Sequence, residues 1–193
     1  MRVCTAGRIA CLAVAMLAAC SRQPEARVRF LFWAKYVSRQ VRTEALQHRS
    51  VRFDEVESLQ RQFKISDREV QAILVEAQRE HWADSHECQP APEPYRMNGL
   101  LWPPEPDQPL VGVPTAESCR RRLQGTVIVS AIIRRSGRAT GATILKSLGP
   151  ELDAQAIGTV EAMSWLPALL CGRPADAYFI AAVPFTLSSC GGT

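Results

Sequence analysis

The stretch that decides the fold of this chain is Gly125–Ile133, which reads GTVIVSAII. Every second residue along it forms one apolar set, namely Val127, Val129, Ala131 and Ile133. An alternation with a period of two is typical of a β-strand that buries one face. The segment Arg135–Gly137 that follows has turn chemistry, with a glycine free to adopt positive φ. We therefore expect a second, antiparallel strand over residues 138–147.

The second strand shows an irregularity. Its apolar alternation slips between Ala139 and Ala142, and Gly141 lies at the slip. An extra residue accommodated in a β-bulge would restore the register, so we predict a bulge at this glycine.

A helix and a last strand complete the pattern. Gly149 and Pro150 break the second strand, and proline is favoured in the first turn of a helix. The buried stripe of that helix is expected to consist of Leu152, Ala156, Val160 and Met163. Trp165 and Pro167 end the helix, and the alternation resumes in a strand made of Phe179, Ala181, Val183, Phe185 and Leu187. The predicted fold class is α+β, a small antiparallel sheet in the order strand, strand, helix, strand, with a short helical region before it.

The motifs of this region, taken together, resemble the TonB C-terminal domain family. They are Gly125–Val129, Ser136–Arg138, Ile144–Ser147, Leu152–Asp153, Ala162–Ala168, Gly172–Pro174 and Val183–Leu187. Their order and spacing over residues 114–188 carry the resemblance. It implies an interaction domain whose last strand pairs with a short segment of an outer-membrane receptor.

The partner-binding strand that this implies consists of Phe179, Ile180, Ala181, Ala182, Val183, Pro184 and Phe185. Proline has no N–H to donate to a ladder and is therefore confined to sheet edges. Pro184 thus predicts that the last strand lies at an edge, with its proline facing outward. The missing donor would either weaken docking or guard against aggregation.

The N-terminal residues resemble a lipoprotein leader. Arg2 and Arg8 precede an apolar run, Ile9–Ala19, which is too short to span a bilayer but has the length of a signal-peptide core. The letters LAAC end at Cys20 and resemble the bacterial lipobox, so we expect lipidation of Cys20. The alternative is an ordinary signal peptide with a chance cysteine. Ser21 follows in place of an aspartate, which favours the outer membrane over the inner.

The region between the leader and the sheet has two parts. Apolar residues at helical spacing predict a first helix through Phe30, Trp33, Val37 and Val41, and a second over 54–63. Ser66 and Glu69 form the capping-box pattern of a third helix, whose stripe is expected to contain Val70, Ile73, Leu74, Ala77 and His81.

Eight of the 13 prolines then lie between Pro90 and Pro114. They predict an extended linker, or a coat that wraps the next domain.

The predicted organisation is a signal peptide (1–19), a helical region (20–83), a proline-rich linker (84–113) and the TonB-like domain (114–190). Beyond the leader and the lipidated Cys20, four cysteines remain, and an even number in an oxidising compartment predicts two disulfides. The alternative interpretation of these cysteines is a zinc site, but no CxxC motif is present. If the last strand runs antiparallel beside the first, its end lies near the beginning of the first strand. This favours Cys119–Cys190 and leaves Cys88–Cys171.

Nothing in the sequence points to an enzyme. The histidines, His48, His81 and His86, have no neighbouring nucleophile or convergent acid, and no phosphate-binding or dinucleotide motif is present. We expect no cofactor and no metal. Without the leader, 23 − 2 = 21 basic residues face 19 acidic ones, so nucleic acid is not an expected partner.

Two functions remain open. The first is a periplasmic, lipid-anchored interaction module in envelope transport, whose partner is an outer-membrane receptor or another envelope protein. The second is a structural envelope lipoprotein that uses the same fold as a scaffold without energy transduction. The oligomeric state is left open.

Overall fold

A computed structural model describes residues 6–46 and 55–191. Arg2, His48 and Asp54 therefore lie outside the described residues. The chain divides into two compact units, Met1–Ser85 and His86–Thr193. The fold is α+β, as predicted.

The first unit is helical. Its helices are α1 (Ala6–Leu46), α2 (Glu55–Phe63) and α3 (Asp67–Arg79). At the start of α3, the Glu69 carboxylate accepts hydrogen bonds from the Ser66 amide at 2.8 Å and from its hydroxyl at 2.6 Å. The capping box read from the sequence is therefore present. Among the described residues, no helix has the length and apolar character required to cross a bilayer.

Aromatic rings hold the first unit together. Trp33 and Phe30 both pack edge-on against Trp82, with ring centroids 5.7 and 5.5 Å apart. Val70, Ile73 and Ala77 of α3 are buried, as expected. His81 was expected on the same stripe, and that expectation is wrong, because α3 ends at Arg79. His81 is exposed and has a φ of 52°.

The second unit contains the predicted sheet. Its elements are β1 (Leu101–Trp102), β2 (Glu105–Pro106), α4 (Ala116–Arg120), β3 (Gly125–Ile133), β4 (Ala139–Lys146), α5 (Pro150–Ala162), β5 (Trp165–Leu166), β6 (Ala168–Leu170), β7 (Arg173–Ala175) and β8 (Ala177–Phe185). The main sheet has the order β4-β3-β8, with all pairs antiparallel.

The core lies between this sheet and α5. Buried residues on the predicted apolar faces are Val127, Val129, Ile133, Val160, Val183 and Phe185. Trp165 is also buried in this core, and Ile144 is partly buried against it. The indole Nε1 of Trp165 donates to the Val160 carbonyl at 3.1 Å, which satisfies the one polar atom of the buried ring.

The predicted bulge is present in β4. Ser130 pairs with Thr143 and Ile132 with Thr140, so two β4 residues, Gly141 and Ala142, lie opposite one β3 residue. Gly141 has a φ of 64°, a conformation that glycine adopts without steric cost.

Residues 86–113 pack on the domain as a coat. β1 pairs with β6, and β2 pairs with β5, each antiparallel. Leu101 and Pro104 are fully buried, so the proline-rich segment contributes apolar surface to the fold. The sequence left two alternatives for this segment, an extended linker and a coat on the next domain, and the structure shows the coat.

Candidate partner-binding edge

β8 lies at one edge of the main sheet, with β3 on its inner side. Its nine residues pair with β3 in one continuous register, from Gly125↔Phe185 to Ile133↔Ala177. Ala177, Ala181, Val183 and Phe185 are buried, whereas Tyr178, Ile180 and Ala182 are exposed on the other face. The strand predicted to bind a partner is thus an edge strand in an unbroken register.

Two hydrogen bonds show which backbone groups of β8 point away from β3. The Tyr178 amide donates to the Tyr95 carbonyl at 2.9 Å, and the Pro184 carbonyl accepts from the Gly112 amide at 2.9 Å. Backbone groups alternate in direction along an antiparallel strand. The N–H and C=O groups of Ile180 and Ala182, which lie between these two residues, therefore also point outward.

Those groups are the open part of the edge. Within the described residues, no hydrogen bond joins the outward N–H or C=O of Ile180 or Ala182 to the protein. The side chain of Ile180 is 62% exposed. An edge whose outward donors and acceptors have no partner in the described part of the protein, beside an exposed apolar side chain, is able to accept an extended peptide.

Pro184 is placed as its chemistry requires. It pairs with Thr126 in the register of β3 and β8, and its carbonyl points outward to Gly112. The N–H that proline lacks would point outward, so Pro184 removes no hydrogen bond from the ladder between β3 and β8. The expectation from the sequence, an edge strand with an outward proline, agrees with this geometry.

Tyr95 fixes one end of the edge. Its amide donates to the Asp176 carbonyl at 2.8 Å, and the pair Tyr95↔Ala177 is a parallel bridge. The phenol oxygen of Tyr95 accepts from the Ala91 amide at 2.7 Å and donates to the Gln89 carbonyl at 2.9 Å. The coat segment thus supplies a one-residue strand to β8 and anchors it through the tyrosine ring.

An acid–base cluster stabilises the same end. The Asp176 carboxylate accepts from the Arg135 amide at 2.7 Å and from the guanidinium groups of Arg135 and Arg134 at 3.3 and 3.1 Å. Burial would raise the pKa of Asp176, but these hydrogen bonds outweigh it and hold the pKa below its usual value. The cluster links the turn after β3 to the start of β8.

Gly112 fixes the other end. A Cβ atom at this position would overlap the ring of Phe185, which is buried in the core. Only glycine therefore allows the coat backbone to approach close enough for its amide to reach Pro184. The flanking valines, Val111 and Val113, are exposed.

Both predicted disulfides are present in the structure. Cys88–Cys171 joins the coat to the turn between β6 and β7, and Cys119–Cys190 joins α4 to the turn after β8. Their sequence separations are 83 and 71 residues. In the chain-entropy model, closing a loop of this size stabilises the folded state by about 4 kcal/mol. Within the described residues, no cluster of histidine, cysteine and acidic side chains is arranged to hold a metal ion.

The predicted site residues fall in different units. Cys20 lies in α1 of the first unit, and the edge strand lies in the second. Sequence reasoning did not find Tyr95 and Gly112. A tyrosine after Pro94 and a glycine between two valines were the only local signals, and neither indicates pairing with a strand about 70 to 80 residues away.

Comparison with known families agrees with this geometry. Residues 116–187 match the family model described as the Gram-negative bacterial TonB protein C-terminal. The matched segment, which begins at α4 and ends just after β8, is therefore similar to that domain. No curated protein and no solved structure matches the chain. The family consists of interaction domains of the bacterial envelope and not of enzymes.

Proposed function

We propose that this protein is a lipid-anchored periplasmic protein that binds an envelope partner by strand addition to β8. An outer-membrane receptor is the partner that the family favours. The observation that carries the proposal is the pair of outward, unbonded peptide groups at Ile180 and Ala182. In this mode the main-chain hydrogen bonds supply affinity, and alternate side chains supply specificity.

The proposal also explains the difference between the two sides of β8. The inner side is fully paired with β3 over nine residues, so the strand is rigid before a partner arrives. A rigid edge loses little conformational entropy on binding, and this favours affinity. The two disulfides restrict the coat and the end of β8 in the same way.

The decisive test is the substitution Ala182→Pro in the full chain. It removes one outward N–H, while the inward ladder to β3 is retained, because the N–H and C=O of Ala182 point away from β3. Capture of receptors from solubilised outer membranes should fall by about ten- to a hundredfold, since a partner carbonyl is left without a donor. The matched control is Ala182→Thr, which keeps the N–H and should capture like wild type.

The outcomes separate the alternatives. Equal capture by Ala182→Pro and wild type would show that β8 is not the docking edge. Loss of capture in Ala182→Thr as well would indicate side-chain contacts in place of strand addition. Absence of any receptor in the wild-type capture would favour the scaffold function. Unfolding midpoints of both variants serve as the folding check.

The lipid anchor is tested at Cys20. Metabolic labelling with a fatty acid should mark the wild-type protein and leave Cys20→Ala unlabelled, because the thiol is the proposed acceptor. Cys11→Ala, within the predicted leader, is the matched control and should label like wild type. Equal labelling of Cys20→Ala and wild type would show that the anchor lies elsewhere.

A further inference from the structure

The open part of the β8 edge has a defined length. At one end the Tyr178 amide is bonded to Tyr95, and at the other the Pro184 carbonyl is bonded to Gly112. The free outward groups between them are the C=O of Tyr178 and the N–H and C=O of Ile180 and Ala182. An added strand therefore has room for the five residues that lie opposite positions 179–183.

We propose that the coat segment limits the length of the partner strand, and that Tyr95 is the specificity-determining residue at one limit. This inference rests on the proposed function, strand addition to β8, and refines it. The ligand is a short extended peptide segment of about five residues. A longer segment meets the coat backbone at Tyr95 before it reaches the start of β8.

Tyr95 is suited to this role because it is held from three directions. Its amide and carbonyl bond to Asp176 and Tyr178, and its phenol bonds to backbone groups of the coat. The coat behind it is joined to the domain by Cys88–Cys171. Displacing Tyr95 would therefore break several hydrogen bonds, and a partner strand gains only the same two backbone bonds in exchange.

The surroundings also define the chemistry of the ligand. Ile180 and Ala182 present exposed apolar side chains beside the open groups, and the Arg96 guanidinium lies over the Tyr178 ring at 5.6 Å. Cross-strand neighbours interact most favourably when β-branched or aromatic residues lie opposite one another. The partner segment is thus expected to carry β-branched apolar residues, without proline at the positions that bond to β8.

The test measures affinity as a function of peptide length. Capped peptides of alternating threonine and valine, with three, five, seven and nine residues, are titrated into the full-length protein in detergent micelles. Binding is followed through the amide resonances of Ile180 and Ala182. In the wild type, affinity should rise from three to five residues and change less than about twofold from five to nine.

The variant Tyr95→Pro removes one N–H of the bridge and the phenol anchor, so that a peptide is able to displace the coat. Here the seven-residue peptide should bind about two- to thirtyfold more tightly than the five-residue one, the gain expected for two added cross-strand pairs. Tyr95→Phe keeps the backbone bridge and is the matched control, with the wild-type length dependence. Amide resonances of β3 report whether each variant remains folded.

Each outcome decides one point. If no peptide shifts the Ile180 and Ala182 resonances, strand addition itself fails. If peptides bind and affinity continues to rise to nine residues in the wild type, the length limit is wrong and the proposed function stands. If Tyr95→Pro retains the plateau at five residues, Tyr95 does not set the limit.

Discussion

The two edges of the main sheet differ in their regularity. β8 pairs with β3 in nine consecutive positions without a shift, whereas β4 pairs with the same strand in a register that shifts twice. Bulges bend and twist an edge, and natural sheets use them to prevent pairing with another chain. One edge of the sheet is therefore protected by its own irregularity, and the other remains available for a partner.

The two edges also differ in the features that limit their pairing with another chain. β8 is bounded by two contacts from the coat, at Tyr95 and Gly112. β4 has its protection within the strand, at Gly141. The regular edge thus depends on tertiary packing around it, and the irregular edge depends on local backbone conformation. Substitutions at the two edges should therefore act through different mechanisms and with different magnitudes.

The largest effect is expected for Trp165→Ala, which removes the packing behind β8. The Trp165 ring is 4% exposed and lies edge-on to Phe179, with centroids 5.3 Å apart. The substitution should lower the free energy of unfolding by about 3–5 kcal/mol, because it leaves a cavity beside the regular edge. Denaturant unfolding measures this change.

Trp102→Ala is the matched control for that experiment, since Trp102 in β1 is only partly buried. It should cost less than Trp165→Ala. An equal or smaller loss at Trp165 would mean that the core does not depend on this ring.

The next largest effect is expected for Gly112→Ala at the coat end of β8. The added Cβ would overlap the buried Phe185 ring, and overpacking of this kind costs about 1–3 kcal/mol. The measurement is the unfolding midpoint, together with hydrogen exchange of the Gly112 amide, which bonds to Pro184. Exchange at residue 112 should become faster as the coat is pushed outward.

Gly99→Ala is the control in the same coat segment, because no atom lies within 4 Å of a Cβ there. It should be neutral, or stabilising by about 0.4–1 kcal/mol through the unfolded chain. If both substitutions have the same effect, the close approach of Gly112 to Phe185 does not hold the edge.

The features of the two edges differ in whether the sequence predicts them. Alternation predicted β3, β4 and β8, Gly141 predicted the bulge, and Pro184 predicted the edge position, because each depends on local backbone chemistry. The disulfides could be paired once the strand order was inferred. Tyr95 and Gly112 could not be found, because a bridge of one residue has no periodicity and its partner lies far along the chain. The short strands β1, β2 and β5–β7 were missed for the same reason.

A smaller effect is expected at β4 for Gly141→Ala. A Cβ at this position meets open space, so the cost arises only from holding a non-glycine residue at a φ of 64°. That cost is about 1–2 kcal/mol. Gly158→Ala, in α5 and also facing open space, should instead stabilise by about 0.5–1 kcal/mol. Changes of the same sign at Gly141 and Gly158 would contradict a conformational role for the bulge glycine.

The smallest effect concerns Asp176, where the turn after β3 is joined to the start of β8. Its pKa in the folded protein is depressed below the value of about 3.9 that an unfolded chain has, so the folded state binds its proton less readily. The contribution of Asp176 to stability is therefore fully present above about pH 4 and is lost as the pH falls through the folded pKa. The side chains of Arg134 and Arg135, which pair with Asp176, are 40% and 53% exposed, so solvent screening limits the ion pairs to about 1 kcal/mol or less.

Asp176→Asn keeps the shape of the side chain and removes its charge. The difference in unfolding free energy between wild type and Asp176→Asn should be constant near neutral pH and should shrink below pH 4. A difference that stays constant down to pH 2 would show that the carboxylate charge does not stabilise this end of the edge.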